Sequence, residues 1–359
     1  MSYSIEILFQ DSIELLKKLI SIPSISFEEE KAAIFLSEYL LSKNIKYQKI
    51  GNNIVALNKF YDHDKQTILL NSHLDTVKPN SGYTKDPFKP VIIDGKIYGL
   101  GSNDAGGALV TMLNTFLNFY EMEELNYNLA FIGSCEEETG TEGGLADVLS
   151  KIDFKTDFAF VGEPTNMNMA IAEKGLLVLD CTSHGVSAHA AREEGENAIY
   201  NAMNDIDWFR NYRFEKVSEL LGPVKMTVTT INSGYQHNII PDKCTYCVDI
   251  RLNEHYTHKD ILETISKYVM AEIKPRSLRY KPSFTPVDNF FVKKGIELGL
   301  KTFGSPTCSD RIHMNFPAIK IGPGDSSRSH IADEFVYLYE IRNGLEIYLK
   351  FLNNILREK

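Results

Sequence analysis

The apolar residues of this chain change their spacing several times, and each change marks an element. From Ile5 to Ile20 they recur at helical intervals, with Leu8, Ile13, Leu16, Leu19 and Ile20 largely on one face. Pro23 ends that helix, and Ser26-Phe27-Glu28-Glu29 reads as a capping box opening a second helix that runs to about Ser42. A short strand pair at 46–57 leads into 67–77, TILLNSHLDTV, where Ile68, Leu69 and Leu70 form a buried strand. Asp94-Gly95 then marks a hairpin turn between Val91–Ile93 and Lys96–Tyr98. A glycine-rich loop, GLGSNDAGG, precedes a mostly apolar helix at 108–120. After it come a strand at 128–133, a helix near Leu145–Lys151 and a strand at Phe158–Val161. Strands alternating with helices predict an α/β fold whose sheet is covered on both faces.

From about residue 176 the texture changes. The pattern predicts a strand at 176–182, a helix at 197–211, strands at 224–231 and 244–252, a helix at 259–270 and a last strand near 277–280. That β-α-β-β-α-β order is the ferredoxin-like one. After Pro282 the α/β style returns, with a helix at 289–303, a strand at 318–321 and a helix at 338–356. Residues 1–175 and 282–359 therefore form one expected domain, a mixed-sheet α/β body. Residues 176–281 form a second, α+β domain inserted into it.

Composition narrows the partners more than the fold. A chain of 359 residues with 43% hydrophobic and 24% charged residues is an ordinary globular protein with room for two domains. Its net charge of −10 argues against nucleic acid or an anionic membrane as the main partner. No run approaches the roughly 20 apolar residues a membrane span needs. The five scattered cysteines predict reduced thiols and a cytoplasmic setting. Cys244 and Cys247 form a C-x-x-C, but on a predicted strand positions three apart face opposite sides, which favours a structural role.

The candidate chemistry sits just past the end of each core strand. His73 and Asp75 come after the first, Asp104 sits in the glycine-rich loop, Glu136-Glu137-Glu138 come after 128–133, Glu163 after Phe158–Val161, and His330 after 318–321. In α/β sheets ligands bind beyond the carboxyl ends of the strands. Taken singly, an acidic run is usually a solvated patch, GEPT a turn, and His330 a loop residue. Their shared placement favours a different reading. Two histidines and at least three carboxylates at one sheet edge are what two zinc ions need, with one carboxylate bridging them. A further carboxylate could accept a proton from water and pass it to a departing amine.

SHLDTV, GSNDAGG, EEETG, VGEPT, GVSAHAA, GYQHNIIPD and the late SRSH, in this order along nearly the whole chain, resemble the dinuclear zinc aminoacylase/carboxypeptidase family. That resemblance implies two zinc ions, or cobalt, per chain, and a lid domain that makes a homodimer. It implies that His73, Asp104 and Glu163 hold one metal ion and Asp104, Glu138 and His330 the other, with Asp104 bridging. Glu137 becomes the general base and acid, and Asp75 orients His73 by accepting its other ring N–H. Aligning Gly140 sets this register; a shift by one would move base and ligand to Glu136 and Glu137. The family often carries a cis peptide after the bridging aspartate, here Asp104–Ala105. His189 of GVSAHAA matches a histidine that crosses to the partner's active site and stabilises an oxyanion. Asn238 and Arg251 match residues that hold the substrate's carboxylate or carbonyl oxygen.

Two departures from the family pattern matter, the first for the packing of the glycine-rich loop and the second for substrate. Leu100 and Ala105-Gly106 replace the family's usual Arg and Met-Lys, and Glu173-Lys174-Gly175 stands where the desuccinylases tend to have arginine before glycine. Lys174 could substitute for that arginine only in part. The resemblance thus implies a metal-dependent amidohydrolase that removes the acyl group from a small N-acyl amino acid, most like the acetylornithine deacetylases of arginine biosynthesis. Succinyl-diaminopimelate desuccinylase, acetylcitrulline or succinylornithine deacylase, and di- or tripeptidase are the alternatives.

Overall fold

The computed structural model describes residues 3–357, which divide into two compact units. The first holds the chain up to Ile171, Thr285–Phe303 and the chain from Ser309 onward; the second holds Ala172–Phe284 and Gly304–Cys308. The last segment departs from the division expected at 282. Hydrogen bonds tie it to the second unit: the Lys174 amide donates to the Ser305 carbonyl at 3.0 Å, and the Cys308 thiol to the Lys174 carbonyl at 3.1 Å.

In the first unit a mixed sheet runs in the order Tyr47–Ile50, Asn53–Leu57, Asn128–Ser134, Thr67–His73, Phe158–Val161, Ala318–Lys320, Met169–Glu173. The four middle strands are parallel, with Thr67 level with Asn128 and His73 level with Ser134. Every residue of Thr67–His73 and Asn128–Ser134 is buried, as expected for parallel strands covered on both faces. Helices Ile5–Ile20, Gly107–Phe119 and Leu338–Arg357 pack together, and the middle one is buried at all 13 positions. Elsewhere Leu69, Ala130, Ile132, Ala159 and Val161 meet Leu145, Val148 and Phe154. The parallel arrangement sends the carboxyl ends of four strands to one edge of the sheet.

Several predicted elements shift. The second helix begins at Glu30, without the expected capping box: the Ser26 hydroxyl donates to the Asp75 carboxylate, and Glu29 is fully buried. The helix expected over 289–303 ends at Glu297, because Gly299 adopts φ +84°, and the chain re-enters a strand at Thr302–Ser305. Strands Met169–Glu173 and Phe335–Tyr337 lie outside the predicted elements; the latter joins the predicted hairpin at Lys96–Tyr98.

The second unit contains a four-stranded antiparallel sheet in the order Lys225–Ser233, Lys243–Leu252, Gly175–His184, Glu272–Pro275. With helices Ala198–Asn211 and His258–Ile265 this is the ferredoxin-like order. Its final strand lies at 272–275, not 277–280. Helix His258–Ile265 stops early in a turn, where Tyr268 N–H donates to Ile265 O at 3.0 Å, so the chain is in register with Thr182 by Glu272. Both cysteines of the C-x-x-C are buried and free. Among the described residues no helix is long and apolar enough to cross a membrane.

Candidate metal centre

His73 ends its strand with the ring fully enclosed. Its Nδ1 lies 2.9 Å from the backbone carbonyl of Asp75 and 3.5 Å from that residue's carboxylate. The carbonyl is the nearer acceptor, and the Asp75 carboxylate lies behind it on the same ring nitrogen. That carboxylate also accepts from the N–H groups of Glu137 at 3.0 Å and Glu138 at 3.1 Å, and from the Ser26 hydroxyl at 2.7 Å. Asp75 thus meets the histidine and anchors the glutamate turn at once.

The other ring nitrogen, Nε2, faces Asp104 Oδ1 at 3.3 Å and Glu163 Oε1 at 3.7 Å. Asp104 sits in the tight loop opened by Gly101, which adopts φ +75°; a Cβ there would approach Thr76 Cγ2 to 2.6 Å, so glycine is required. The peptide bond from Asp104 to Ala105 is cis. While Oδ1 points to His73, Oδ2 lies 3.6 Å from His330 Nε2, which is itself 2.9 Å from Glu138 Oε2. One carboxylate thus presents a separate oxygen to each histidine.

Glu137 and Glu138 both turn into this cluster. Donor atoms of His73, Glu137 and Glu163 lie within 4.8 Å of one another, as do those of His73, Asp104 and Glu138. Glu136 turns away, its carboxylate accepting from the Thr141 hydroxyl. Its N–H is held by Glu29 Oε1 at 3.2 Å. Buried carboxylates therefore hold the amides of three consecutive glutamates.

The charges follow from burial and crowding. Burial, then the Glu163 charge, pushes Glu137 well above the usual carboxylate range. Burial and Asp104 raise Glu163 to about 8, and burial also raises Glu138. Burial alone would lower the His73 pKa, but Asp104, Asp75 and the nearby glutamates hold it well above the imidazole range. The hydrogen bond to Glu138 takes His330 to about 9. Burial opposes the Asp104 anion, yet His73 keeps its pKa low. Carboxylates driven toward protonation beside imidazoles driven toward it mark a cluster with surplus negative charge. Mixed His and carboxylate donors in this number suit divalent metal ions.

The surroundings contain residues that sequence reasoning missed. Asp310, buried and raised to about 6 by burial, accepts from the Ser134 hydroxyl at 2.6 Å. Buried Lys320 lies close enough to lower the Glu163 pKa. Glu29, Ser26 and Glu334 hold the site's backbone or side chains. Lys320 could have been found as a charged residue inside the apolar Ala318–Lys320 strand, whereas Ser26 and Glu29 signalled only a helix cap.

The remaining candidates belong to the second unit. His189 and Asn238 adjoin one small ribbon, Ala188–His189 with Ile239–Ile240, where Ala190 N–H donates to Asn238 O at 2.9 Å. His189 is exposed, and its Nδ1 accepts from Ala191 N–H at 3.1 Å. Arg251 pairs through two nitrogens with Asp249, at 2.9 and 3.1 Å, so much of its fork is already engaged. Lys174 donates to Pro223 O at 3.0 Å. Burial and the charges of Lys225 and Arg251 lower its pKa.

With this architecture established, residues 69–354 match Peptidase family M20/M25/M40, and the chain belongs to that family. It is a metal-dependent amidohydrolase. A succinyl-diaminopimelate desuccinylase of Wolbachia pipientis wMel is 26% identical over 96% of this chain and 93% of its own. A tripeptidase from Staphylococcus aureus superposes with a TM-score of 0.78 at 19% identity, covering 98% of this chain and 99% of that one. A dinuclear metal-binding peptidase of family M20 from Bacillus subtilis superposes with a TM-score of 0.72 at 15% identity, covering 98% and 99%.

Proposed function

We propose that the chain binds two zinc ions and hydrolyses the amide of a small N-acyl amino acid. The observation that carries this reading is Asp104, whose Oδ1 faces His73 and Oδ2 faces His330. His73 and Glu163 complete one ligand set with Asp104; Glu138 and His330 complete the other. A bound metal pair supplies Lewis acidity, which makes a water more acidic and polarises an amide carbonyl. The chain's residues do the rest. Glu137, which faces His73 and Glu163, accepts a proton from water and delivers it to the departing amine nitrogen. Asp75 keeps the Glu137–Glu138 turn in place through two N–H bonds.

In this reading the second unit binds substrate and a second copy of the chain. Strand Lys225–Ser233 lies at the edge of its sheet and is largely exposed, beside a helix that exposes Tyr200 and Met203. Such an edge is a template for strand pairing between protomers. His189 from the partner protomer would donate to the developing oxyanion, and Asn238 and Arg251 would hold the substrate's carboxylate. The sparse, scattered cysteines support a cytoplasmic setting.

Acetylornithine is the substrate proposed first, on the loop sequences SNDAGG and SSRSH. A succinylated substrate is the second reading, favoured by the cations Lys174, Lys225 and Arg251 and by the desuccinylase relatives. Zinc-loaded protein assayed on acetyl- and succinyl-ornithine, acetylcitrulline, succinyl-diaminopimelate and a dipeptide set separates these. Hydrolysis of dipeptides alone would overturn the deacylase reading.

A further inference from the structure

Three backbone N–H groups of the loop carrying Asp104 end on a single carboxylate. Glu334 Oε2 accepts from Gly101 at 3.0 Å, and Oε1 accepts from Asn103 and Asp104, each at 2.8 Å. Only 1% of Glu334 is exposed. A carboxylate taken out of water must have its lone pairs met, and here peptide N–H groups converge on both oxygens. The left-handed Gly101 and the Gly106 N–H to Gly101 O bond at 2.9 Å curl the loop so that these donors point inward.

The same short turn carries His330. Positive φ values at His330 (+61°) and Asp333 (+54°) fold residues 330–334 back on themselves. His330 is thereby aimed at Glu138 and at Asp104 Oδ2, while Glu334 grips the Asp104 loop. Asp333, next to it, faces elsewhere and accepts from the N–H groups of Thr84 at 2.9 Å and Lys85 at 3.0 Å.

The geometry points to Glu334 as the positioning residue of Asp104. Through the amides of Gly101, Asn103 and Asp104 it sets the loop orientation in which one Asp104 oxygen faces His73 and the other His330. This inference rests on the reading of Asp104 as the ligand shared by two metal ions. A bridging carboxylate has to aim both oxygens at once, so a small rotation of its backbone would weaken both sites together. Glutamine at 334 keeps the volume, but turns an NH₂ donor toward N–H donors and breaks the grip.

The test uses metal-free full-length protein titrated with zinc by calorimetry, alongside amide hydrogen exchange over residues 99–106. Glu334→Gln is expected to weaken both zinc equivalents by about 10–100-fold and to speed exchange at Gly101, Asn103 and Asp104. Asp333→Asn, a change in the same turn with partners on another loop, is expected to leave the titration as in the wild type. Wild-type zinc affinity in Glu334→Gln overturns the inference. So does an equal loss in Asp333→Asn, which would mean that the turn as a whole matters rather than the carboxylate. Should Glu334→Gln fail to fold, Glu334→Asp is read in its place, with the same expected and overturning outcomes. Asp104→Asn separates the shared-ligand reading from the positioning role. If it binds both zinc equivalents normally, the shared-ligand reading fails; if it loses zinc while Glu334→Gln keeps it, only the positioning role fails.

Discussion

The histidine-carboxylate edge of the first unit and the exposed ribbon of the second differ in how far their surroundings determine their geometry. At the edge, His73 is 2% exposed and its two ring nitrogens are accounted for by Asp75 and Asp104. The loops around it are tied amide by amide to Asp75, Glu29 and Glu334. On the ribbon, His189 has an N–H from its own turn, and the neighbouring strand edge at Lys225–Ser233 is open. A site assembled from buried strand ends fixes its own groups within one chain. Residues on a two-residue ribbon, facing solvent, gain a defined environment only when something covers them.

The largest expected effect tests the buried side. Glu137→Ala should lose about 10²–10⁴-fold in turnover while zinc content by elemental analysis stays at the wild-type value. Full turnover would remove Glu137 as the base and return the role to its neighbours.

His189→Ala sharpens the contrast, because it alters the exposed side alone. Turnover should fall about 10²–10³-fold with the zinc titration unchanged. Mixing it with Glu137→Ala under conditions that exchange protomers should restore part of the activity, since in the proposed dimer each hybrid would hold one complete site. Two inactive variants that stay inactive on mixing, despite proven exchange, would place His189 outside the partner's site.

A smaller effect is expected at Asp75. Asp75→Asn retains the backbone carbonyl that meets His73 but loses an acceptor for the glutamate amides. It should destabilise the chain by about 1–3 kcal/mol and lower kcat more than zinc affinity. A variant that instead releases zinc, with no change in the stability of the metal-free form, would make orienting His73 the carboxylate's main task.

The mildest probe is pH. Glu163, at about 8 in the fold, and His330, at about 9, both lie above their ordinary values of 4.5 and 6.5. The folded state binds these protons more tightly than the unfolded chain. Their stabilising contribution is therefore full below the ordinary values and is lost as pH rises through about 8 and 9. The melting temperature of metal-free protein should fall across that window, and that of zinc-loaded protein should fall less. Parallel curves in calorimetry would mean that zinc does not displace those protons.

Elements with a strong period were legible in the chain: helix Ile5–Ile20 and the buried strand at Thr67–His73 need no partner to be recognised. Short elements were not. Met169–Glu173, Phe335–Tyr337 and Glu272–Pro275 are three to five residues long, and only pairing with a distant strand distinguishes them from loop. Ser26 and Glu29 carried a valid local signal for a helix cap, but contacts with Asp75 and Glu136 override it.

By itself the sequence determined the alternation of elements and which polar residues succeed each core strand, because both are set by local spacing. His73, Asp104, Glu137, Glu138, Glu163 and His330 could be nominated on that basis. Only the tertiary structure decided that four parallel strands send their carboxyl ends to one edge, that Glu136 turns outward, and that Asp104 divides its oxygens between two histidines. It also revealed Asp75 and Glu334 as holders of backbone amides. Their hydrogen-bond partners lie 62 to 233 residues away, and no local pattern encodes which N–H a buried carboxylate will meet.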